Sequence, residues 1–140
     1  EKPDLLIDFS TLTGAARAAV GLDITAMFSN NDEIARELQT LSMRAEDPAW
    51  QMPLWQGYKA DIMTPNADLN NSGNNVAGAI TAALFLESFV ERGINWIHLD
   101  HSAWEGSGKP GRPRGGADMG MRAVLALLEK YYVKGKGAKR

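Results

Sequence analysis

The stretch "HLDH" places two imidazoles and a carboxylate at residues 98–101, and these side chains are common metal ligands. Alternate side chains of a strand point to opposite faces of a sheet. His98 and Asp100 therefore share one face, and His101 lies on the other. The chain has no cysteine, and no second cluster of acidic residues stands out in the sequence. The pattern predicts no metal site made within this chain, and a hydrogen bond from His98 to Asp100 or to the backbone.

Nucleophilic catalysis is the second chemistry to weigh, because Ser102 stands directly beside His101. A serine hydrolase of the α/β type needs a G-x-S-x-G elbow, and the sequence contains none. Lys109, Arg112 and Arg114 fall in a glycine- and proline-rich stretch and could meet a phosphate or an acidic partner. Exposed loop charges are more commonly solvated. The residues alone predict no catalytic residue.

A phosphate site is the third possibility, at the first loop (residues 11–14), between an apolar run and an alanine-rich stretch. Backbone N–H groups at the start of a helix attract anions. Dinucleotide and P-loop motifs need several glycines or a G-K-[ST] ending, whereas this loop contains Gly14 alone. The pattern favours a tight strand-to-helix turn in which Thr13 caps the helix.

Strand and helix patterns alternate along the chain. The predicted strands span about residues 5–9, 24–28 and 96–100, and the predicted helices about residues 15–20, 33–44, 76–92 and 117–132. Residues 50–75 are less regular, and Pro53 excludes a central strand there. The alternation predicts an α/β fold with a mainly parallel or mixed central sheet flanked by helices. We assign residues 1–133 to one domain portion and residues 134–140, "KGKGAKR", to a flexible basic tail.

Composition narrows the classes of partner. The net charge of -2 gives no overall attraction to nucleic acid or to an anionic membrane. No apolar run approaches the ~18 residues of a membrane span. The first residues also lack the pattern of a secretory signal. The sequence predicts a soluble cytoplasmic protein with neither a nucleic-acid nor a membrane partner.

Five motifs, "TLTGA", "MPLW", "ADLNN", "AGAITAALFL" and "HLD", occur in this order over residues 3–131. Their order and approximate spacing resemble the C-terminal part of the catalytic domain of the leucyl aminopeptidase (cytosol aminopeptidase) family. The resemblance implies a metallo-exopeptidase that releases N-terminal amino acids from peptides. It also implies two divalent metal ions, usually zinc with manganese or magnesium as alternatives, and a cytoplasmic homohexamer.

The family's metal ligands are a lysine and several carboxylates that end in an Asn-Thr-Asp-Ala-Glu-Gly-Arg signature. That signature is absent from this sequence. We therefore expect a fragment with no catalytic metal and no peptidase activity of its own. The alternative is a non-catalytic α/β scaffold or binding module derived from the same fold.

The resemblance implies substrate-binding residues at two places. The Leu12 carbonyl would accept from a substrate N–H, the Gly14 N–H would donate to a substrate carbonyl, and Thr11 would border the pocket for the first side chain. Ser102 and Ala103 would lie across that pocket. If other parts of the family's fold are missing, apolar sheet surface stays exposed, and we expect the chain to self-associate.

Overall fold

The computed structural model describes residues 2–73 and 76–133, so the tail assigned to residues 134–140 lies outside the described residues. Strands β1 to β6 span Leu5–Ser10, Thr25–Ser29, Ala49–Gln51, Asn95–Asp100, Trp104–Glu105 and Gly115–Gly116. Helices α1 to α4 span Gly14–Val20, Asp32–Arg44, Gly78–Glu87 and Met121–Leu128. A 3-10 helix covers Gln56–Ile62, and a π-helical turn at Glu129–Val133 extends α4.

The main sheet has the strand order β1-β4-β2-β3. β1 pairs with β4 and β2 pairs with β3 in parallel, whereas β2 and β4 are antiparallel. The expected α/β fold with a mainly parallel, mixed sheet is therefore confirmed. β5 and β6 form a separate antiparallel pair within the glycine- and proline-rich stretch.

Helices cover both faces of the sheet. On one face, α2 and α4 pack over a core that includes Met27, Leu38 and Leu99. On the other face, Phe28 and Trp96 pack with alanines of α1 and α3. The central strands β2 and β4 are covered on both faces, so consecutive residues along them are buried instead of alternating between buried and exposed. None of the helices in the described ranges has the length and apolarity that crossing a bilayer requires.

Two predicted helices are shorter than the sequence suggested. The helix expected at residues 76–92 spans Gly78–Glu87, and the helix expected at residues 117–132 begins only at Met121. Each helix starts after a residue in the left-handed conformation, Ala77 at φ 56° and Gly120 at φ 80°. Such a residue cannot continue a right-handed helix, so each helix begins later than its apolar periodicity predicts.

Strand β3 is the strand of the main sheet that the sequence pattern missed. It is only three residues long, and Trp50 at its centre is exposed, so no apolar alternation marks it. β3 is the outer strand next to β2, and Pro53 follows its end, as expected for a proline kept out of a central strand.

Gly120 supports a prediction about stability, because its φ of 80° is combined with close packing. A Cβ at this position would lie 2.9 Å from Leu99 Cδ1 and 3.5 Å from Phe9 Cε1. Gly93 has a similar φ of 88°, but a Cβ there would meet no atom within 4 Å. We expect Gly93→Ala to cost about 1 kcal/mol from backbone strain alone, and Gly120→Ala to cost at least about 2 kcal/mol. Urea unfolding of both variants measures this difference, and equal losses would exclude a packing contribution at Gly120.

Candidate functional site

The loops that follow β1 and β4 lie at the same edge of the sheet. The two strands are parallel and in register from Leu5 opposite Asn95 to Ser10 opposite Asp100. Just beyond their ends, the N–H of His101 donates to the Ser10 carbonyl at 3.0 Å. The first loop (residues 11–14) and the second loop (residues 101–103) therefore leave the sheet side by side.

Thr13 closes the first loop as the predicted helix cap, which is confirmed. Its Oγ1 accepts from the Ala16 N–H at 2.9 Å. The same hydroxyl donates to Oδ2 of Asp100 at 2.7 Å, and the Thr13 N–H donates to Oδ1 of Asp100 at 3.2 Å. Asp100 is 1% exposed. This carboxylate at the end of β4 thus links the two loops.

The remaining residues of the first loop are open to solvent. Thr11, Leu12 and Gly14 are exposed. A Cβ on Gly14 would meet only Arg17 Nη2, at 3.8 Å. Gly14 is the first residue of α1, so its N–H has no partner within the helix. This loop presents backbone groups and an apolar side chain, and nothing crowds it.

Leu12 and Thr13 border a cavity of about 390 Å³. Its other walls come from α3 and from the segment before it, including Ile62, Asn70 and Phe85. Leu12 and Phe85 give this cavity an apolar side, and Asn70 contributes an amide. The cavity has the mixed lining typical of a site for a small organic group.

Ser102 and Ala103 lie at the same sheet edge but do not line this cavity. Ser102 Oγ donates to the Leu22 carbonyl at 2.8 Å and lies 3.3 Å from Met119 Sδ. Leu22 and Met119 border a second cavity of about 110 Å³. Ala103 is in the left-handed conformation at φ 49°. The structure therefore brings the two loops together, but the Ser102 hydroxyl is bonded to residues of the second cavity and not to the cavity that Leu12 borders.

The expected partner of His98 was wrong. His98 Nδ1 lies 2.5 Å from Oδ1 of Asp8, and Oδ2 of Asp8 accepts from Trp96 Nε1 at 2.7 Å. Asp8 stands opposite His98 in the parallel pairing of β1 and β4, so strand pairing was the signal that could have identified it. His98 is fully buried, with its ring stacked against Phe28 and Trp96. The pair joins a buried histidine on β4 to a half-buried carboxylate on β1 and so links the two strands.

His101 has a different environment. Its ring lies 6.3 Å from that of Phe9, centroid to centroid. Burial lowers the pKa of His101, and the nearby carboxylates of Asp100 and Asp47 oppose this effect only in part. The imidazole therefore favours its neutral form more than a solvated histidine does.

The predicted basic loop is tied to the protein surface. Lys109 Nζ lies 2.7 Å from Asp23 and 3.4 Å from Glu105, and the hydrogen bond to Asp23 raises the pKa of Lys109. Arg112 donates to the Glu46 carbonyl at 3.3 Å. These contacts support the interpretation of the loop as ordinary surface charge.

The donor groups do not fit a metal centre. Within residues 2–73 and 76–133, no group of three or more His, Cys, Asp or Glu side chains is arranged to hold an ion. Asp8, His98 and Asp100 have the partners described above, and Asp47 accepts from the N–H groups of Gly120, Arg122 and Ala123. These three carboxylates, Asp8, Asp47 and Asp100, therefore stabilise the fold through hydrogen bonds within the chain.

Comparison with known proteins identifies the family. The profile of the cytosol aminopeptidase family, catalytic domain, matches residues 1–125. The chain belongs to this family, which confirms the resemblance drawn from its motifs. A probable cytosol aminopeptidase of Syntrophotalea carbinolica is 43% identical over 131 residues, covering 92% of this chain and 26% of the relative. The chain thus spans about a quarter of the length of the curated relatives it matches.

Solved structures show the same portion of the fold. The cytosol aminopeptidase of Coxiella burnetii is 51% identical with a TM-score of 0.87, and the match covers 93% of this chain and 29% of that one. The bottromycin maturation enzyme BotP, solved in complex with Mn, is 32% identical with a TM-score of 0.83. That match covers 91% of this chain and 29% of BotP.

Proposed function

We propose that this chain forms the substrate-facing portion of a leucyl-aminopeptidase-type metallo-exopeptidase, which releases N-terminal amino acids from peptides by two-metal hydrolysis. The family match supports the reaction class. The observation that carries the assignment is the first loop, which lies open beside a cavity at the edge shared by β1 and β4. Such an edge is where α/β enzymes bind ligands.

In this proposal the first loop holds the peptide through its backbone. The Leu12 carbonyl accepts from a substrate N–H, and the Gly14 N–H donates to a substrate carbonyl. Thr11 borders the pocket for the first side chain, and Ser102 and Ala103 lie across that pocket, outside the cavity that Leu12 and Thr13 border. Gly14 suits close approach by a peptide because it has no side chain.

The metal ions belong to another part of the proposed enzyme. We propose two divalent ions, zinc or manganese, held by residues that this sequence does not contain. The complex of BotP with Mn supports the use of a divalent metal, and the absence of a fitting donor group among the described residues supports placing its ligands elsewhere. We therefore assign this chain no catalytic residue and no metal ligand.

The location and assembly are also proposals. The relatives are named cytosol aminopeptidases, which supports a cytoplasmic enzyme with peptides as substrates.

We further propose a homo-oligomer. β1 is an outer strand of the sheet, and Leu6, Phe9, Met121 and Leu125 on β1 and α4 are each at least 40% exposed. An outer strand beside exposed apolar side chains favours association with another chain.

Self-association of the 140-residue chain is measurable by light scattering. We expect species larger than a monomer, and a shift towards monomer in Leu125→Glu, which charges the apolar surface of α4. Phe89→Glu is the matched control, because Phe89 is 69% exposed and follows α3 on the other face of the sheet. A strictly monomeric chain at high concentration would contradict the prediction.

A hybrid enzyme tests the proposed function. In the Coxiella burnetii cytosol aminopeptidase, the segment matched by this chain is replaced with the corresponding residues of this chain. We expect the purified hybrid, supplied with Mn²⁺ or Zn²⁺, to hydrolyse a leucyl chromogenic substrate. A folded hybrid without turnover would contradict the proposal and would favour the alternative, a non-catalytic scaffold or binding module.

A further inference from the structure

We propose that Asp100 is a positioning residue that orients the Leu12 carbonyl towards the bound peptide. This role rests on the proposed function, because it concerns the loop assigned to substrate binding. It adds a residue at the end of β4 that contacts no substrate and acts through Thr13.

Planarity of the peptide unit provides the physical argument. The Leu12 carbonyl and the Thr13 N–H belong to one peptide unit, and the described chain contains no cis peptide bond. In a planar trans unit the N–H and the C=O point in opposite directions. Because the Thr13 N–H donates to Oδ1 of Asp100, the Leu12 carbonyl must point away from Asp100. The buried carboxylate therefore determines where this acceptor points.

The Thr13 side chain completes the arrangement. Its hydroxyl donates to Oδ2 of Asp100 and accepts from the Ala16 N–H, so the first turn of α1 is fixed to the same carboxylate. Gly14 lies between these two anchored points. The direction of its N–H is thus coupled to that of the Leu12 carbonyl. A single carboxylate orients one acceptor and one donor of the first loop.

The contacts of Asp100 favour this role over a charge-pairing one. No cationic side chain forms an ion pair with Asp100 among the described residues, and both of its oxygens accept from Thr13. A buried carboxylate is costly to desolvate, and this one is compensated by bonds to the loop.

Amide exchange and carbonyl NMR of the full 140-residue chain test the geometry directly. We expect Asp100→Ala to shift the Leu12 carbonyl resonance and to accelerate exchange at Ala16, and Asp100→Asn to restore both in large part. If Asp100→Ala does not fold, Thr13→Val removes the hydroxyl bond to Asp100 and keeps the N–H bond, so exchange at Ala16 should accelerate while the Leu12 carbonyl resonance changes little, with Thr13→Ser as its rescue. Thr40→Val is the matched control, because the Thr40 hydroxyl donates to the Arg36 carbonyl on the exposed surface of α2.

The hybrid enzyme tests the consequence for substrate. We expect Asp100→Ala to lower kcat/KM for the leucyl substrate about tenfold, mainly through KM, with Asp100→Asn close to the unsubstituted hybrid. Unchanged Leu12 and Ala16 signals in the variants, or unchanged kinetics, would overturn the positioning role. An inactive unsubstituted hybrid would contradict the proposed function, whereas the NMR result would still decide whether Asp100 orients the loop.

Discussion

The purified 140-residue chain is expected to release no detectable product from a leucyl chromogenic substrate, even with Mn²⁺ or Zn²⁺ supplied. Two-metal hydrolysis needs ions that generate the nucleophile and stabilise the developing oxyanion. Within the described ranges, no three suitable side chains are arranged to hold an ion. The first loop offers backbone groups and Leu12, which can bind a peptide but cannot activate water. Losing the metal-based activation altogether removes the whole rate enhancement.

The full-length Coxiella burnetii cytosol aminopeptidase is the control for this assay, run at equal molar concentration under the same conditions. The chain must first be shown to be folded, by its circular dichroism and a cooperative unfolding transition. Turnover that rises with the concentration of the chain and disappears with a chelator would contradict the prediction.

Asp47→Ala is expected to destabilise the chain by about 3 kcal/mol. Asp47 is 6% exposed, and its carboxylate contacts the N-terminus of α4 in the folded chain. Oδ1 accepts from the Gly120 N–H at 2.8 Å, and Oδ2 accepts from the N–H groups of Arg122 and Ala123 at 2.9 and 3.2 Å. Removing this charged acceptor leaves three N–H groups at the start of the helix without a partner. The N–H groups of Gly120 and Ala123 are buried, so their loss of a partner is costly.

Urea unfolding followed by circular dichroism measures the effect of Asp47→Ala. Asp47→Asn keeps one acceptor oxygen, so we expect an intermediate loss. Asp118→Ala is the matched control in the same region, because Asp118 is exposed and its removal should change stability by less than about 0.5 kcal/mol. A loss in Asp47→Ala no larger than in Asp118→Ala would show that this cap does not stabilise α4.

Local patterns were sufficient to predict the fold class. The buried strands β2 and β4, the cap at Thr13 and the start of α2, expected at about residue 33 and found at Asp32, all follow from neighbouring residues. The true start of α4 did not follow, because the Asp47 carboxylate that caps it lies 73 residues from Gly120 in sequence. Such a contact becomes visible only once the helices are packed.

In the candidate site, too, some features could be predicted from local sequence and others depend on tertiary contacts. The motif "TLTGA" marked the first loop, and the substrate-binding role of that loop stays a prediction. The sequence did not reveal that Asp100 holds Thr13, since the contact joins residues 87 positions apart. It also did not reveal that the Ser102 hydroxyl donates to the Leu22 carbonyl, because that contact joins residues 80 positions apart. Motifs located the loops, and tertiary pairing determined what each side chain contacts.

The central claim is that the first loop contacts the peptide, and Gly14→Val in the hybrid enzyme tests it most directly. A Cβ on Gly14 meets only the end of the Arg17 side chain, so the substitution should leave folding intact. Gly106→Val is the control, since a Cβ there meets no atom within 4 Å. We predict that Gly14→Val raises KM for the leucyl substrate at least about tenfold at unchanged thermal stability, whereas Gly106→Val leaves KM unchanged. Equal KM values for Gly14→Val and the unsubstituted hybrid would contradict the claim.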